Sequence, residues 1–309
     1  MNFRLPKLYR WMHRVESWWR RRTGAPELLA ATTPAVPPAP PMTSRLERIV
    51  LTEGVADTLF QDYSDHRRSA RGNEEIGWTL LGVRQGDEAI ALAAIPAGAA
   101  RDASTVHVQF NADAQAVASR ILRQKDKRLQ IVGVVHTHPG NLTHPSNGDY
   151  AGDSVWVAGL RDREAVFGIG TAVADLQFSW YALAVGDAGY RPLPTRVDAG
   201  PDLAACLRPL WHSLETHAAD LEKLCRLFAN VQFDQADGGL AVRIGLGEPQ
   251  QGLRLLLKAG DVRYYLDRGG ELIAVEPRET KLDRAVFLIL AELAKDQPAE
   301  SRETYVTMT

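Results

Sequence analysis

The sequence predicts an α/β protein in which a β-sheet is flanked by helices, followed by a smaller α+β domain. Three observations support this prediction. Apolar, β-branched runs alternate with amphipathic helical segments across residues 44–195. A second set of strand-like runs lies between two helical segments in residues 196–309. The length of 309 residues exceeds that of a usual single domain, so two domains are expected.

The predicted first domain, residues 44–195, begins with a short strand and a helix. Its predicted strands are apolar runs rich in β-branched residues, and its predicted helices have apolar residues at every third or fourth position. The predicted strands are 48–52, 76–83, 89–95, 105–110, 130–135, 165–174 and 178–184, and the predicted helices are 53–68, 113–127 and a short segment after Asp149.

The predicted second domain, residues 196–309, contains no motif that we can connect with chemistry. We therefore expect it to supply substrate selection or dimerisation. Its predicted helices are 201–230 and 283–295, and its predicted strands are 240–246, 253–258, 262–266 and 271–275.

Two distinct segments precede the first domain. Residues 1–23 are predicted to form a basic amphipathic helix with one aromatic face, which suits an anionic membrane surface or a protein partner. The alternatives are that the aromatic face packs on the body of the protein or that the segment has no fixed structure. Residues 24–43 are predicted to be a Pro/Ala-rich linker, in which Met42 is a candidate start codon.

Composition restricts the possible partners and location. The formal net charge of −2 gives no reason to expect nucleic acid as a partner of the whole chain. The chain has only two cysteines, Cys206 and Cys225. This low number is typical of proteins in a reducing cytoplasm and excludes a cysteine-rich zinc cluster. No run of about 20 apolar residues is present, so no membrane span is predicted.

The strongest chemical pattern is the stretch from Val134 to Asp149. An apolar run ends in His136-Thr137-His138, and the alternation of side chains along a strand places both imidazoles on the same side. A carboxylate, Asp149, follows at the start of the next predicted helix. Three protein ligands with a fourth position left for water are typical of a catalytic zinc. We therefore expect His136, His138 and Asp149 to bind Zn²⁺.

Each part of this pattern also has a purely structural explanation. Ser146, three residues before Asp149, is a suitable N-cap, and the pair resembles a capping box. Two histidines near a strand end are often a satisfied polar pair. The combination of all four residues favours a metal site.

These residues resemble the JAMM motif of the JAB/MPN metalloprotease family, which includes deubiquitinases and their bacterial relatives. The family places a glutamate on an early strand, with leucine five positions and glycine seven positions further on. Glu75, with Leu80 and Gly82, satisfies this spacing, whereas Glu74 puts a leucine where the glycine belongs. Glu75 is therefore preferred, with Glu74 as the alternative.

The resemblance implies a fold, an activity and a set of roles. The fold is the JAB/MPN (cytidine-deaminase-like) sheet, and the resemblance covers about half of the chain. Glu75 is expected to act as general base and then general acid, and Ser146 is expected to donate a hydrogen bond to the oxyanion. The expected reaction is zinc-dependent cleavage of the amide bond after the tail of a ubiquitin-like protein, as deconjugation or maturation. Trp78 departs from the family pattern, in which a small residue is common, and is expected either to shape the groove or to pack in the core.

The expected partners follow from the same resemblance. They are a ubiquitin-like protein or its conjugate and, in a bacterial ubiquitin-like conjugation or antiviral defence operon, ubiquitin-activating-like and ubiquitin-conjugating-like enzymes. Two alternatives are a non-catalytic MPN scaffold, which typically lacks one or more ligands, and a RadC-like protein associated with DNA repair. Of the remaining candidates, His107 is expected to face solvent. His144 is expected to be an exposed loop residue, with substrate contact as the alternative, and Asp153 is expected to face solvent, with support of the metal ligands as the alternative.

Overall fold

The computed structural model describes residues 44–295, except residues 100, 106–107, 141, 173–174, 246–250, 259 and 269. The predicted basic helix at 1–23 and linker at 24–43 lie outside the described residues. Contacts divide the chain into two compact units between Glu215 and Thr216, whereas the sequence predicted a domain boundary between Thr195 and Arg196. Each unit is described by itself.

The first unit contains ten strands and five helical segments in its described residues, the last of which continues into the second unit. The strands are β1 (Arg48–Thr52), β2 (Gly77–Gln85), β3 (Glu88–Pro96), β4 (Asp102–Ala103), β5 (Val108–Gln109), β6 (Gln130–Thr137), β7 (Glu164–Ala172), β8 (Leu176–Ala184), β9 (Arg191–Pro192) and β10 (Thr195–Asp198). The α-helices are α1 (Glu53–Arg68), α2 (Ala112–Lys125), α3 (Asn147–Ala158) and α4 (Trp211–Leu227), and a 3₁₀ helix spans Leu203–Leu210.

Eight of these strands form one mixed sheet in the order β10-β1-β3-β2-β6-β7-β8-β9. The central strand β6 pairs antiparallel with β2 and parallel with β7. Gly77, at the start of β2, lies opposite His136, near the end of β6. The residues that precede β2 and those that follow β6 therefore meet at the same end of these two strands, where the predicted site lies.

Both faces of β6 are covered, which explains its continuous apolar run. Val135 belongs to the core cluster that includes Val55 and Leu59 of α1. Val134 packs on the opposite face against the cluster formed by Val157 of α3 and Phe167 of β7. Because side chains alternate along a strand, His136 lies on the α3 face with Val134.

Several of the described elements differ from the predicted ones. The predicted strand at 105–110 is the two-residue strand β5, paired with β4, and residues 106–107 lie outside the described residues. Strand β10 was not predicted, because its four residues are all exposed and it is recognisable only from its parallel pairing with β1. The predicted helix at 201–230 begins as a 3₁₀ helix and becomes α-helical at Trp211, since Pro209 cannot donate a helical hydrogen bond.

The second unit contains a five-stranded antiparallel meander, with strands in sequence order. The strands are β11 (Val231–Ala236), β12 (Gly239–Gly245), β13 (Gln251–Lys258), β14 (Asp261–Arg268) and β15 (Glu271–Val275), and helix α5 spans Leu282–Lys295. Strand β11 was not predicted, although Asp237 and Gly238 supply the two positive φ angles that a tight hairpin turn requires.

Candidate metal centre and active site

The two histidines at the end of β6 face each other. His136 Nε2 and His138 Nε2 lie 3.0 Å apart, with both side chains largely buried. His138 Nδ1 lies 2.9 Å from the carbonyl oxygen of Leu142. A carbonyl can only accept, so Nδ1 carries the proton of the neutral ring and Nε2 keeps its lone pair. Two nitrogen atoms at this separation need a proton or a cation between them.

Asp149 completes a group of three donors. Its Oδ1 lies 3.4 Å from His136 Nε2, and its Oδ2 lies 3.5 Å from His138 Nε2. Zinc bonds of about 2.0–2.1 Å in tetrahedral geometry place neighbouring donor atoms about 3.3–3.4 Å apart. Within the described residues, this is the one group of three or more His, Cys, Asp or Glu side chains close enough to hold a metal ion. The nitrogen and oxygen donors and their spacing fit zinc.

Asp149 reaches this position through the start of α3. Ser146 is the N-cap, and its Oγ accepts a hydrogen bond of 3.2 Å from the Asp149 N–H. In return, Asp149 Oδ2 accepts a hydrogen bond of 2.6 Å from the Ser146 N–H. The capping box is therefore present, and it fixes the carboxylate beside the histidines. The Ser146 O–H hydrogen is not used by the cap and can be donated.

The electrostatics of the cluster favour a negative Asp149. Burial alone raises the pKa of the Asp149 carboxyl, but hydrogen bonds from His136 and His138 in their protonated forms hold it well below its usual range. Burial alone lowers the pKa of His138, yet Asp149, the Leu142 carbonyl and Glu75 together raise it above its usual value. Both shifts show that the cluster attracts positive charge, as a cation site does.

Glu75 and Glu74 lie just before β2 and have different environments. Glu75 is buried, at 5% exposure, and its charge acts on His138. Its main chain is held by two hydrogen bonds, from its N–H to the Ser104 carbonyl at 2.7 Å and to its own carbonyl from Arg101 Nε at 3.3 Å. The Glu74 carboxylate forms an ion pair of 2.6 Å with Arg71 instead. Of the two residues, Glu75 is therefore the buried one whose charge acts on the cluster.

Sequence reasoning missed one pair close to the cluster. Asp153, one helical turn after Asp149, was expected mainly to face solvent, but its Oδ2 accepts a hydrogen bond of 2.7 Å from the Tyr190 hydroxyl. Burial raises the pKa of Asp153 to about 6, and the neighbouring charges of His136 and Asp149 also act on it. No motif marks Tyr190, which lies 37 residues further along the chain.

We expect the replacement Asp153→Asn to stabilise the metal-free protein in a pH-dependent manner. The folded state raises the pKa of Asp153 from 3.8 to about 6, so the folded wild type binds a proton more tightly and loses stability as pH rises between these values. Asparagine has no charge to bury and still accepts from Tyr190. Above pH ~6 the variant is expected to be more stable by up to about 3 kcal/mol, at 1.36 kcal/mol per pKa unit. Denaturant unfolding with chelator present, from pH ~4 to pH ~8, measures this, and a difference independent of pH would contradict it.

The remaining described candidates, Trp78 and His144, have other polar partners. Trp78 is fully buried, and its Nε1–H donates to Asp62 Oδ2 at 3.1 Å, so it packs in the core. His144 is exposed, and its Nδ1 lies 3.0 Å from the Pro145 carbonyl. His107 lies outside the described residues.

The comparison with protein families agrees with the fold. Residues 57–183 match the model described as prokaryotic homologs of the JAB domain. This part of the chain is therefore similar to JAB domains. It contains Glu75, Ser146 and the three ligand candidates, and the predicted family and fold class are confirmed.

Two further comparisons are less informative. A solution structure of protein DSY2949 from Desulfitobacterium hafniense aligns with 50% of this chain and 94% of that chain, at 17% identity and a TM-score of 0.37. No curated protein matches the sequence.

Two observations concern the remaining predictions. None of the helices in the described residues combines the length and apolar character needed to cross a membrane. Cys206 and Cys225 are both free thiols.

Proposed function

We propose that this chain is a zinc-dependent peptidase or isopeptidase that cleaves the amide bond after the tail of a ubiquitin-like protein. One observation carries the proposal. His136 Nε2 and His138 Nε2 lie 3.0 Å apart, and they lie 3.4 Å and 3.5 Å from the two oxygens of Asp149, close to the spacing around tetrahedral zinc. The charge of the buried Glu75 acts on His138. The pattern of ligands, base and hydroxyl donor is that of a hydrolase without a covalent intermediate.

Each residue of the site has a separate role in the proposed reaction. Bound zinc would lower the pKa of water and polarise the scissile carbonyl. Glu75 takes a proton from the attacking water as its oxygen bonds to the carbonyl carbon, and it later delivers that proton to the leaving nitrogen when the C–N bond breaks. Ser146 donates its free hydroxyl hydrogen to the carbonyl oxygen as negative charge develops there. The buried position of Glu75 keeps competing water away from its carboxylate.

The substrate class rests on the resemblance to the JAMM metalloproteases. An extended tail is recognised mainly through its backbone, by adding a strand beside a site of this kind. The proposed partners are a ubiquitin-like protein or its conjugate and, where such genes accompany this one, ubiquitin-activating-like and ubiquitin-conjugating-like enzymes of an antiviral defence operon. The free thiols of both cysteines support a cytoplasmic location.

A cleavage assay on the full chain tests the proposal. The substrates are ubiquitin-like proteins fused through their C-terminal tails to a reporter peptide, and mass spectrometry locates the cut. We expect about one zinc per chain, cleavage directly after the tail, loss of cleavage with a zinc chelator and recovery when zinc is returned. The control substrate carries the same reporter on a tail shortened by its last residues. Zinc-loaded protein that binds these fusions without cutting them would contradict the proposal and favour an assembly role.

A further inference from the structure

The residue between the two histidine ligands points to the opposite side of β6 from them. Thr137 is fully buried. Its N–H donates to the Ile76 carbonyl at 2.9 Å, and its Oγ1 accepts from the Ile76 N–H at 3.0 Å. Thr137 therefore makes both hydrogen bonds to the residue that directly follows Glu75.

This double contact lies at the point where the main chains separate. One residue further along, the His138 N–H donates to the Gly170 carbonyl of β7, at 2.8 Å, and no longer to the β2 side. On the other chain, the Glu75 N–H donates to the Ser104 carbonyl. The Ile76 N–H thus has no main-chain acceptor within the pairing of β2 and β6, and the threonine hydroxyl takes that place. Thr137 therefore joins the end of β6 to the residue that follows Glu75.

The neighbouring strand fixes the orientation of this hydroxyl. Thr137 lies opposite Gly170 in the parallel pairing of β6 and β7. A Cβ atom added at Gly170 would lie 3.0 Å from Thr137 Cγ2 and 2.8 Å from Phe178 Cε1, so the glycine is closely packed against the threonine methyl group. With the methyl group held on this side, the β-branched side chain has its hydroxyl directed to Ile76.

We propose that Thr137 is a positioning residue that fixes the distance between the Glu75 carboxylate and the His136–His138–Asp149 cluster through its hydroxyl contact with the Ile76 amide. The inference rests on the proposed function for its catalytic consequence. Its structural part, the coupling of the two strands, does not depend on any activity. A displacement of about 1 Å between a base and its reacting partner can cost about 10²-fold in rate.

The test compares Thr137→Val, which keeps the branched shape and removes the acceptor, with Thr137→Ser, which keeps the hydroxyl. Hydrogen exchange of the Ile76 amide, measured by NMR in metal-free and zinc-loaded protein, reports the contact directly. We expect at least tenfold faster exchange in the valine variant and protection close to wild type in the serine variant. Unchanged Ile76 protection in the valine variant would overturn the proposal.

The catalytic part is measured on the same variants. We expect Thr137→Val to bind zinc as wild type does and to lower kcat about 10- to 100-fold with little change in KM, and Thr137→Ser to recover most of the loss. Equal kcat in valine variant and wild type, despite faster Ile76 exchange, would overturn the positioning role. If the wild type itself cleaves no fusion, the proposed function fails, and the exchange measurements still decide whether Thr137 couples the strands.

Discussion

The replacement Glu75→Gln is expected to lower kcat for amide hydrolysis by about 10²–10⁴-fold, the range in which a positioned general base contributes. Glutamine has nearly the same shape but cannot accept a proton from water. Because Glu75 is not one of the three donors that face each other, zinc content should stay at the wild-type level. The measurement is steady-state cleavage of the ubiquitin-like fusion beside metal analysis of the same samples.

The adjacent glutamate supplies a matched control. Glu74→Gln removes the same charge one residue earlier, where it forms an ion pair with Arg71 that is partly exposed to solvent. Such a pair contributes about 0–1 kcal/mol to stability, so activity should stay close to wild type. Equal losses in the two variants, or an unaffected Glu75→Gln, would show that Glu75 is not the base.

Replacing a histidine ligand is expected to abolish both zinc binding and cleavage. In His138→Gln the Nε2 lone pair is lost from a group whose donors are 3.0–3.5 Å apart, so two of three protein ligands remain. Bound zinc at 1,000 times its dissociation constant stabilises a protein by about 4 kcal/mol, and the variant should lose this increment. The measurement is the difference in Tm between zinc-loaded and chelated protein, which should be large for wild type and close to zero for the variant.

The control for this variant is His144→Gln. His144 lies in the loop between the ligands but is exposed and lies against the Pro145 carbonyl. It should bind zinc and respond to chelator as wild type does. A zinc-dependent rise in Tm that persists in His138→Gln would mean that the metal is held elsewhere.

The ligand candidates could be predicted because their chemistry is local in the sequence. His136 and His138 share a side of one strand, and Asp149 lies in the first turn of the next helix, so one stretch of chain specifies all three. Continuous apolar runs also predicted the strands around them, since β6 is covered on both faces. All of these features depend on residues that are close together in the sequence.

Other features depend on contacts between distant segments. The spacing favoured Glu75 over Glu74, but the Arg71 ion pair of Glu74 and the effect of the Glu75 charge on His138 could not be predicted from it. The hydrogen bond between Tyr190 and Asp153 joins residues with no shared motif. Strand β10 has four exposed residues and is defined by its parallel pairing with β1. No local pattern carries this information.

The capping box at the start of α3 changes what a sequence comparison can reveal about activity in this family. Ser146 and Asp149 exchange two hydrogen bonds that stabilise the helix whether or not a metal is present. A relative that has lost catalysis would still gain helix stability from the same two residues, and selection would retain them. His136 and His138 have no comparable structural task at their Nε2 atoms. An active enzyme is therefore indicated by the two histidines and the glutamate before β2. A serine–aspartate pair alone is no evidence of peptidase activity.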